Sequence, residues 1–179
     1  VVHLSGITPA LSANCRRLVS EVIERSRQEG VLVSFDVNYR AKLWSPEEAN
    51  KTLAPMMDYV DILITTKGDT RTILGLEADK DETLARILLD KFPVDLVAIS
   101  YREGDTVWRC LFSAIAANRE KTYTTRTYQI DIVDQVGRGD SFAAGFLYGI
   151  LGEDNPQLGL DYGVAFAALK HSFPGDLNW

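Results

Sequence analysis

Short apolar runs alternate with segments of helical periodicity along most of the chain, and this alternation constrains the fold more than any other feature. The apolar runs predict strands at 1–4, 31–35, 60–64, 94–100 and 130–133. Helical spacing predicts helices at 9–29, 46–57, 82–91 and 156–171, with one or two turns at 70–74, and residues 106–117 and 121–128 are predicted to form a β pair. Strands that alternate with helices form βαβ units around a mainly parallel sheet. We therefore predict a single α/β domain over residues 1–179, with helices on both faces of the sheet.

Several helix ends carry their own signals. Thr8 followed by Pro9 suits an N-cap and the first helical position. Ser45 and Glu48 have the spacing of a capping box. Gly30 and Gly75 are predicted to end the helices that precede them, because glycine adopts the left-handed conformation found there.

Charge and composition exclude several classes of protein. The net charge is −6 and basic residues are not clustered, which argues against a nucleic-acid partner. Cys15 and Cys110 form no metal-binding or redox motif. No apolar run reaches the roughly 18 residues of a membrane span, so we expect no membrane partner and a cytoplasmic protein. Because Val1 opens directly on a predicted strand, we expect the chain to be part of a longer protein.

The loops that follow the predicted strands are the places to look for a ligand, since open α/β sheets bind ligands beyond the carboxyl ends of their strands. These loops follow Leu4, Phe35, Ile64, Ser100 and Val133. The last of them contains Gly137-Arg138-Gly139-Asp140 and leads into a predicted helix. A glycine turn at a helix N-terminus forms an anion site, because unpaired N–H groups and partial positive charge meet a backbone that a ligand can approach closely.

This glycine turn is neither a P-loop nor a dinucleotide fingerprint, because it lacks the Lys-Ser/Thr pair and Phe142 occupies the position of the third glycine. Asp140 has two readings from the residues alone. It could take a proton from an attacking hydroxyl beside a bound phosphate, or it could only cap the helix. The small residues that follow predict a helix lying close to the sheet, and they are Ala143, Ala144, Gly145 and Gly149.

The stretch from Asp134 to Asp140, followed by Ser-Phe-Ala-Ala-Gly-Phe, resembles the C-terminal signature of the ribokinase-like (PfkB) carbohydrate kinases. The resemblance implies a ribokinase-like three-layer sandwich and a kinase that uses ATP and Mg²⁺. It implies Asp140 as the catalytic base, with the backbone of Gly137, Arg138 and Gly139 as an anion hole for the transferred phosphoryl group. Arg138 stands where the family usually has alanine, and its backbone N–H is kept.

Other stretches resemble the 2-keto-3-deoxygluconate kinases of this family, namely Ser5-Gly-Ile-Thr8, Asp36-Val-Asn38-Tyr-Arg40 with Leu43-Trp44, Arg102-Glu-Gly104, and Lys170-His171 with Pro174-Gly-Asp176. The likeness implies that Arg40 and Asp176 contact the sugar acid and that Asp36 and Asn38 shape the strand end near the phosphates, with Asn38 also counted among the substrate-binding residues. A guanidinium holds a carboxylate well. From the residues alone, Arg40 could instead pair with a nearby Asp or Glu, and Asp36 or Asn38 could simply form a turn.

For ATP, the resemblance implicates Ser100, Arg102 and Gly104, together with a pocket near Ala168 and His171. A lone histidine on a helix is more often structural, and the kinase interpretation does not need His171 as a base. The acidic residue associated with Mg²⁺ in the family aligns with Asp69. Family members carry an N-terminal part with further strands and a β lid over the sugar. Because this chain lacks that part, we expect an incomplete sheet edge and weak turnover by residues 1–179 alone, while the longer protein is expected to form a homo-oligomer.

Other functions stay open at the level of sequence. A related kinase acting on 5-dehydro-2-deoxygluconate or fructose is the nearest alternative, and Arg40 argues against fructose because a neutral sugar has no carboxylate. A non-catalytic nucleotide-binding domain is a second alternative. Arg138-Gly139-Asp140 also spells an adhesion tripeptide, which is a weak motif at only three residues.

Overall fold

The computed structural model describes residues 1–104 and 106–177. Seven strands form one sheet within this part of the chain, in the order β1-β2-β3-β4-β5-β6, with β7 pairing with β5. Their bounds are β1 Val2–Ser5, β2 Val33–Asp36, β3 Ile62–Thr66, β4 Leu96–Glu103, β5 Arg109–Ala117, β6 Thr122–Thr124 and β7 Tyr128–Asp131. The helices are α1 Ile7–Leu11, α2 Ala13–Gln28, α3 Pro46–Leu53, α4 Lys67–Leu74, α5 Asp81–Lys91, α6 Arg138–Glu153 and α7 Pro156–Lys170, with a 3₁₀ helix at Ala54–Tyr59. The predicted α/β class is confirmed.

The chain divides into two compact units. The first contains Val1–Ile99 and Ala117–Lys121, and the second contains Ser100–Ala116 and the chain from Thr122 onward. Each unit has fully buried apolar side chains of its own, such as Phe35 and Leu84 in the first and Phe146 and Leu160 in the second. The single domain predicted for residues 1–179 stays a prediction. None of the helices in the described ranges is long and apolar enough to cross a membrane.

Parallel pairing of β1 with β2 and of β2 with β3 organises the first unit. All four residues of β2 are buried, as expected for a parallel strand covered on both faces. The strand begins at Val33 rather than at the predicted Val31, because the Val31 N–H bonds to the Ser26 carbonyl at the end of α2. The N–H of Val33 then donates to the Asp61 carboxylate at 2.6 Å.

The helix predicted over 9–29 is wrong in one respect, because it is broken at Ser12. Ser12 has an extended backbone, with φ −168° and ψ 165°, and its hydroxyl accepts the Cys15 N–H as the N-cap of α2. A serine hydroxyl competes with helical hydrogen bonds in this way. Thr8 is therefore not an N-cap, since α1 already begins at Ile7.

The capping box at the start of α3 is confirmed, with the Glu48 N–H donating to the Ser45 hydroxyl and the Ser45 N–H donating to the Glu48 carboxylate, both at 3.2 Å. The helix ends at Leu53 rather than near residue 57. The chain continues as a 3₁₀ helix that contains Pro55, whose missing N–H removes one α-helical hydrogen bond. Gly75 ends α4 in the left-handed conformation, with φ 64°, as predicted.

In the second unit, β7 pairs antiparallel with β5, and Cys110 lies opposite Ile130. The strand predicted at 130–133 therefore lies earlier and is not a parallel strand of the βαβ series. The N–H of Ile132 donates to the Trp108 carbonyl, and the N–H of Val133 donates to the His171 carbonyl. Residues 132–137 form the loop that leads into α6.

Gly145 and Gly149 of α6 pack against α7, which corrects the expectation that these two residues face the sheet. A Cβ atom at Gly145 would lie 2.6 Å from the Tyr162 carbonyl oxygen, and one at Gly149 would collide with the backbone of Gly159. Ala144 is exposed. The two helices therefore approach each other backbone to backbone, and this contact fixes the direction of α6 within the unit.

Candidate active site

The first turn of α6 carries the predicted catalytic residues. Gly137 is the N-cap, with φ 77° and ψ 0°, and no side chain within residues 1–104 and 106–177 caps this end of the helix. Its carbonyl accepts the Ser141 N–H at 2.9 Å, which closes the first helical turn. The N–H groups that precede that bond have no partner within the helix, so this end can bind an anion.

Asp140 is the third residue of α6, and it does not cap the helix. Its side chain is exposed. Its carboxylate forms no hydrogen bond or ion pair with any other residue that the structure describes. The capping alternative is therefore not realised, and the carboxylate next to the helix N-terminus is available to a ligand.

The turn at Gly137 lies against the C-terminal segment that contains Asp176. A Cβ atom at Gly137 would lie 2.5 Å from the Asp176 carbonyl oxygen. The carboxylate of Asp134 joins the same two segments, because one oxygen accepts the Val136 N–H at 3.0 Å and the other accepts the Gly175 N–H at 2.9 Å. Two residues that are far apart in sequence, Gly137 and Asp176, are thus brought together.

Sequence reasoning gave no role to Asp134, although it is the first residue of the signature stretch. Hydrogen bonds from the backbone N–H groups of Val136 and then Gly175 hold the pKa of the Asp134 carboxyl below its ordinary value. The Lys170 charge lowers this pKa further. Asp134 is therefore ionised at neutral pH. The missed signal was its place as the third residue of loop 132–137, because an aspartate in a loop commonly accepts a hydrogen bond from the backbone N–H two residues later.

Arg138, the first residue of α6, is half-buried and points toward an aromatic ring. Its guanidinium carbon lies 6.0 Å from the centroid of Phe112. The adhesion tripeptide is thus the first turn of a helix whose arginine lies over a core aromatic ring. A cation at a helix N-terminus opposes the helix dipole, and a bound anion would offset that cost.

His171 is fully buried at the end of α7. Its Nδ1 lies 2.7 Å from the Ala167 carbonyl oxygen, which can only accept, so Nδ1 carries the proton. Nε2 is buried and has no hydrogen-bond partner among the described residues. Burial is the main cause that lowers the pKa of His171, and the charges of Arg138, Arg102 and Lys170 lower it further, so the ring is neutral at pH 7.

We expect this neutral histidine to make the protein less stable in mild acid. The folded-state pKa of His171 lies below its unfolded value of 6.5, so the unfolded state takes up the proton first and stability falls as pH drops below 6.5. The maximum slope is about 1.4 kcal/mol per pH unit. Urea unfolding from pH 8 to pH 5 measures this slope, which His171→Phe should reduce. Asp134 titrates below this window. Equal slopes in both proteins would contradict the assignment.

The other residues implicated in ATP binding also lie in the second unit. Ser100 lies half-buried within β4, whereas Arg102 near the end of that strand and Gly104 just after it are exposed. Ala168 is half-buried in the last turn of α7. Arg102 is close enough to His171 to affect its pKa, so the β4 end and the α7 end share one electrostatic environment.

The residues predicted to bind sugar lie mainly in the first unit, at the end of β2. Asn38 has an unusual positive φ of 40°, its N–H donates to the Asp36 carboxylate at 3.2 Å, and its side-chain amide donates to the Ser5 hydroxyl at 3.3 Å. Both Asp36 and Asn38 are buried. They therefore form the turn, which was one of the two readings open from the sequence.

Arg40 lies in the exposed turn that follows, where its carbonyl accepts the Leu43 N–H at 2.9 Å. Its guanidinium donates to the carbonyl of Tyr39 at 3.0 Å. Among the described residues it forms no ion pair, so the alternative in which a neighbouring Asp or Glu neutralises it is not realised. Its charge is available to an anionic ligand.

Asp69 lies in the first turn of α4, where its N–H donates to the Thr66 hydroxyl at 3.0 Å. The described residues contain no group of three or more His, Cys, Asp or Glu side chains that could hold a metal ion. Mg²⁺ commonly binds through one or two carboxylates, substrate phosphates and water rather than in an all-protein cage. A single carboxylate such as Asp69 fits that mode.

Comparison with known proteins identifies the class to which this fold and signature belong. Residues 1–177 match the pfkB family of carbohydrate kinases, and the chain belongs to that family. A 2-dehydro-3-deoxygalactonokinase of Haloferax volcanii is 34% identical over 98% of this chain and 52% of its own length. A 2-dehydro-3-deoxygluconokinase of Bacillus subtilis is 28% identical over 99% of this chain and 52% of its own length.

The fold agrees with solved structures of the family. The crystal structure of a 2-dehydro-3-deoxygluconokinase from Thermotoga maritima superimposes with a TM-score of 0.93 at 35% identity, covering 98% of this chain and 55% of that one. The chain thus spans about half the length of these relatives. The predicted membership of the ribokinase-like family and the predicted likeness to 2-keto-3-deoxygluconate kinases are confirmed.

Proposed function

We propose that the protein carrying this chain transfers the γ-phosphoryl group of ATP to 2-keto-3-deoxygluconate, giving 2-keto-3-deoxy-6-phosphogluconate and ADP. The observation that carries the proposal is the start of α6, where the exposed Asp140 carboxylate has no hydrogen-bond or ion-pair partner among the described residues. Family membership and relatives named as kinases of 2-dehydro-3-deoxy sugar acids support the same reaction.

In this reaction Asp140 is the general base. Its carboxylate accepts the proton of the sugar 6-hydroxyl as that oxygen attacks the γ-phosphorus, and the bond to the β-phosphate oxygen breaks to release ADP. The backbone N–H groups of Gly137, Arg138 and Gly139 donate to the transferring phosphoryl oxygens. Preorganised donors of this kind stabilise charge that develops in the transition state. The Arg138 side chain adds a positive charge at the same end of the helix.

For the nucleotide, we propose that the β4 end with Ser100, Arg102 and Gly104 and the α7 end with Ala168 and His171 hold ATP. Mg²⁺ accompanies ATP and neutralises phosphate charge when bound, and Asp69 is the residue we assign to it. Asp140 and the backbone donors act on the sugar hydroxyl and the phosphoryl group.

For the sugar acid, we propose that Arg40 holds the carboxylate and that Asn38 and Asp176 bind hydroxyl groups. Arg40 is exposed and has no ion-pair partner within the described residues, as a group that binds a charged substrate requires. Its guanidinium forms two parallel hydrogen bonds with a carboxylate. A sugar without a carboxylate cannot make this contact, so the residue favours sugar acids over fructose or ribose.

We expect Arg40→Met to lower kcat/KM for 2-keto-3-deoxygluconate by about 10- to 100-fold, because a charged hydrogen bond contributes about 1.5–3 kcal/mol. Turnover of a neutral sugar should stay unchanged. Initial rates of ADP release by the complete protein measure this, with 2-keto-3-deoxygalactonate, 5-dehydro-2-deoxygluconate, fructose and ribose as the comparison substrates. Lys42→Met, at a nearby exposed cation, is the matched control. An equal loss of kcat/KM on acidic and neutral sugars would overturn the proposed role of Arg40. Turnover of neutral sugars alone would overturn the proposal that the substrate is a sugar acid.

A further inference from the structure

Lys170 is a lysine with no exposed surface, and the proposed chemistry does not use it. It is the last residue of α7, and its Nζ donates to the Phe173 carbonyl at 3.0 Å and lies 5.3 Å from the centroid of the Phe173 ring. Removing an ammonium group from water is costly unless hydrogen bonds and opposite charge compensate. At this position the Phe173 carbonyl, in the segment that follows α7, accepts a hydrogen bond from the ammonium group, and the Lys170 charge acts on the Asp134 carboxylate.

The segment bound by Lys170 is the same one that touches the start of α6. The Phe173 carbonyl accepts a hydrogen bond from Lys170. Two residues after Phe173, the N–H of Gly175 donates to the Asp134 carboxylate. Asp176 then lies against Gly137. On the other side of this contact, in the loop before α6, the N–H groups of Val133 and Asp134 donate to the His171 carbonyl at 2.7 and 3.3 Å. Residues 133–137 and 170–176 are therefore connected by several independent contacts.

We propose that Lys170 and Asp134 are positioning residues that act as one unit, holding segment 170–176 against residues 133–137 so that the first turn of α6 keeps the geometry required for phosphoryl transfer. This inference rests on the proposed kinase function. Lys170 fixes the segment through the Phe173 carbonyl, and Asp134 fixes it through the Gly175 N–H. The charge of Lys170 also favours the ionised form of Asp134.

A positioning role has a kinetic signature that loss of folding lacks. Misplaced backbone donors bind the transition state less well, whereas binding of the ground state changes little. As a result kcat falls and KM stays nearly the same. Misplacement of about 1 Å can cost about 100-fold in rate. Replacing Lys170 by methionine keeps most of the apolar stem and volume and leaves the Phe173 carbonyl without this donor, so urea unfolding of each variant accompanies the kinetics.

The experiment compares Lys170→Met, Asp134→Asn and the double variant in the complete protein, using 2-keto-3-deoxygluconate and ATP. We expect each single variant to lower kcat by about 10- to 100-fold with KM for ATP within about threefold. The double variant should be no slower than the slower single variant, because residues that act as a unit are not additive. Lys91→Met is the matched control, since Lys91 is also the last residue of a helix and its ammonium lies 5.6 Å from the ring of the next residue, Phe92, but it is exposed.

The amide NMR shifts of Val136 and Gly175 give a second readout that does not depend on turnover. Both shifts should move in Lys170→Met, and neither should move in Lys91→Met. Unchanged kcat and unchanged shifts in Lys170→Met would overturn the inference, as would a double variant whose loss equals the product of the two single losses. A wild-type protein without kinase activity whose Gly175 shift still depends on Lys170 would overturn the proposed function and leave the contact between the segments intact.

Discussion

Asp140→Asn is expected to lower kcat by about 100- to 10,000-fold, which is the range attributed to a positioned general base. Asparagine has nearly the same shape as aspartate and cannot accept the proton of the sugar hydroxyl. Because the Asp140 carboxylate makes no hydrogen bond to other described residues, its replacement removes no structural contact there. Steady-state kinetics with ATP and 2-keto-3-deoxygluconate measure the loss, and the Kd for ATP should change by less than about threefold.

The helix dipole provides a competing explanation that a control separates. A carboxylate in the first turn stabilises a helix by about 0.3–1 kcal/mol, and Asp140→Asn removes this contribution as well. Glu82→Gln makes the same change in the first turn of α5, at an exposed side chain. The two variants should lose similar stability, and only Asp140→Asn should lose activity. Retention of more than about a tenth of wild-type kcat would contradict the assignment of Asp140 as the base.

Gly137→Ala is expected to cost stability and activity together. Gly137 has φ 77°, where a Cβ atom costs about 1–2 kcal/mol. The added Cβ would also lie 2.5 Å from the Asp176 carbonyl oxygen, and such overpacking typically costs about 1–3 kcal/mol. Since the displaced residues are the start of α6 and segment 174–176, kcat should fall by about 10-fold or more. Urea unfolding and kinetics on the same preparation measure both effects.

Gly139→Ala separates the strain at Gly137 from a general effect of adding a methyl group to this turn. A Cβ atom at Gly139 meets nothing within 4 Å, and its φ is not in the left-handed region. Alanine is also the better helix former by about 0.5–1 kcal/mol, so this variant should be unchanged or slightly more stable. Equal destabilisation by the two variants would show that the close approach to Asp176 is not what makes Gly137 necessary.

Local signals in the sequence predicted the α/β class and several element ends. The capping box at Ser45 and Glu48 and the left-handed Gly75 both depend on residues within four positions of each other. The signature from Asp134 to Asp140 likewise led to the family, because a glycine turn and its carboxylate are adjacent in sequence. The roles of Asp140, Arg40 and the nucleotide residues stay predictions that the variants described above test.

The features that sequence reasoning missed are of two kinds. Some depend on competition between a side chain and the backbone for hydrogen bonds, and others depend on contacts between residues far apart in sequence. Ser12 interrupts the first helix because its hydroxyl outcompetes a helical carbonyl, although the apolar spacing continues across it. Residues 128–131 pair antiparallel with β5, and an apolar run does not reveal the direction of its partner. The bond from Gly175 to Asp134 joins residues 41 positions apart. Lys170 is buried on the apolar helix α7, where a terminal lysine is ordinarily exposed.

The most direct test of the central claim is ³¹P NMR of the reaction of the complete protein with ATP, Mg²⁺ and 2-keto-3-deoxygluconate. The account predicts one new phosphomonoester signal, coupled to the protons at C6, that grows in equal amount with ADP and grows at least about 100-fold more slowly in the Asp140→Asn reaction. Formation of ADP and inorganic phosphate without a sugar phosphate, or ATP binding without any ADP, would contradict phosphoryl transfer to this sugar acid.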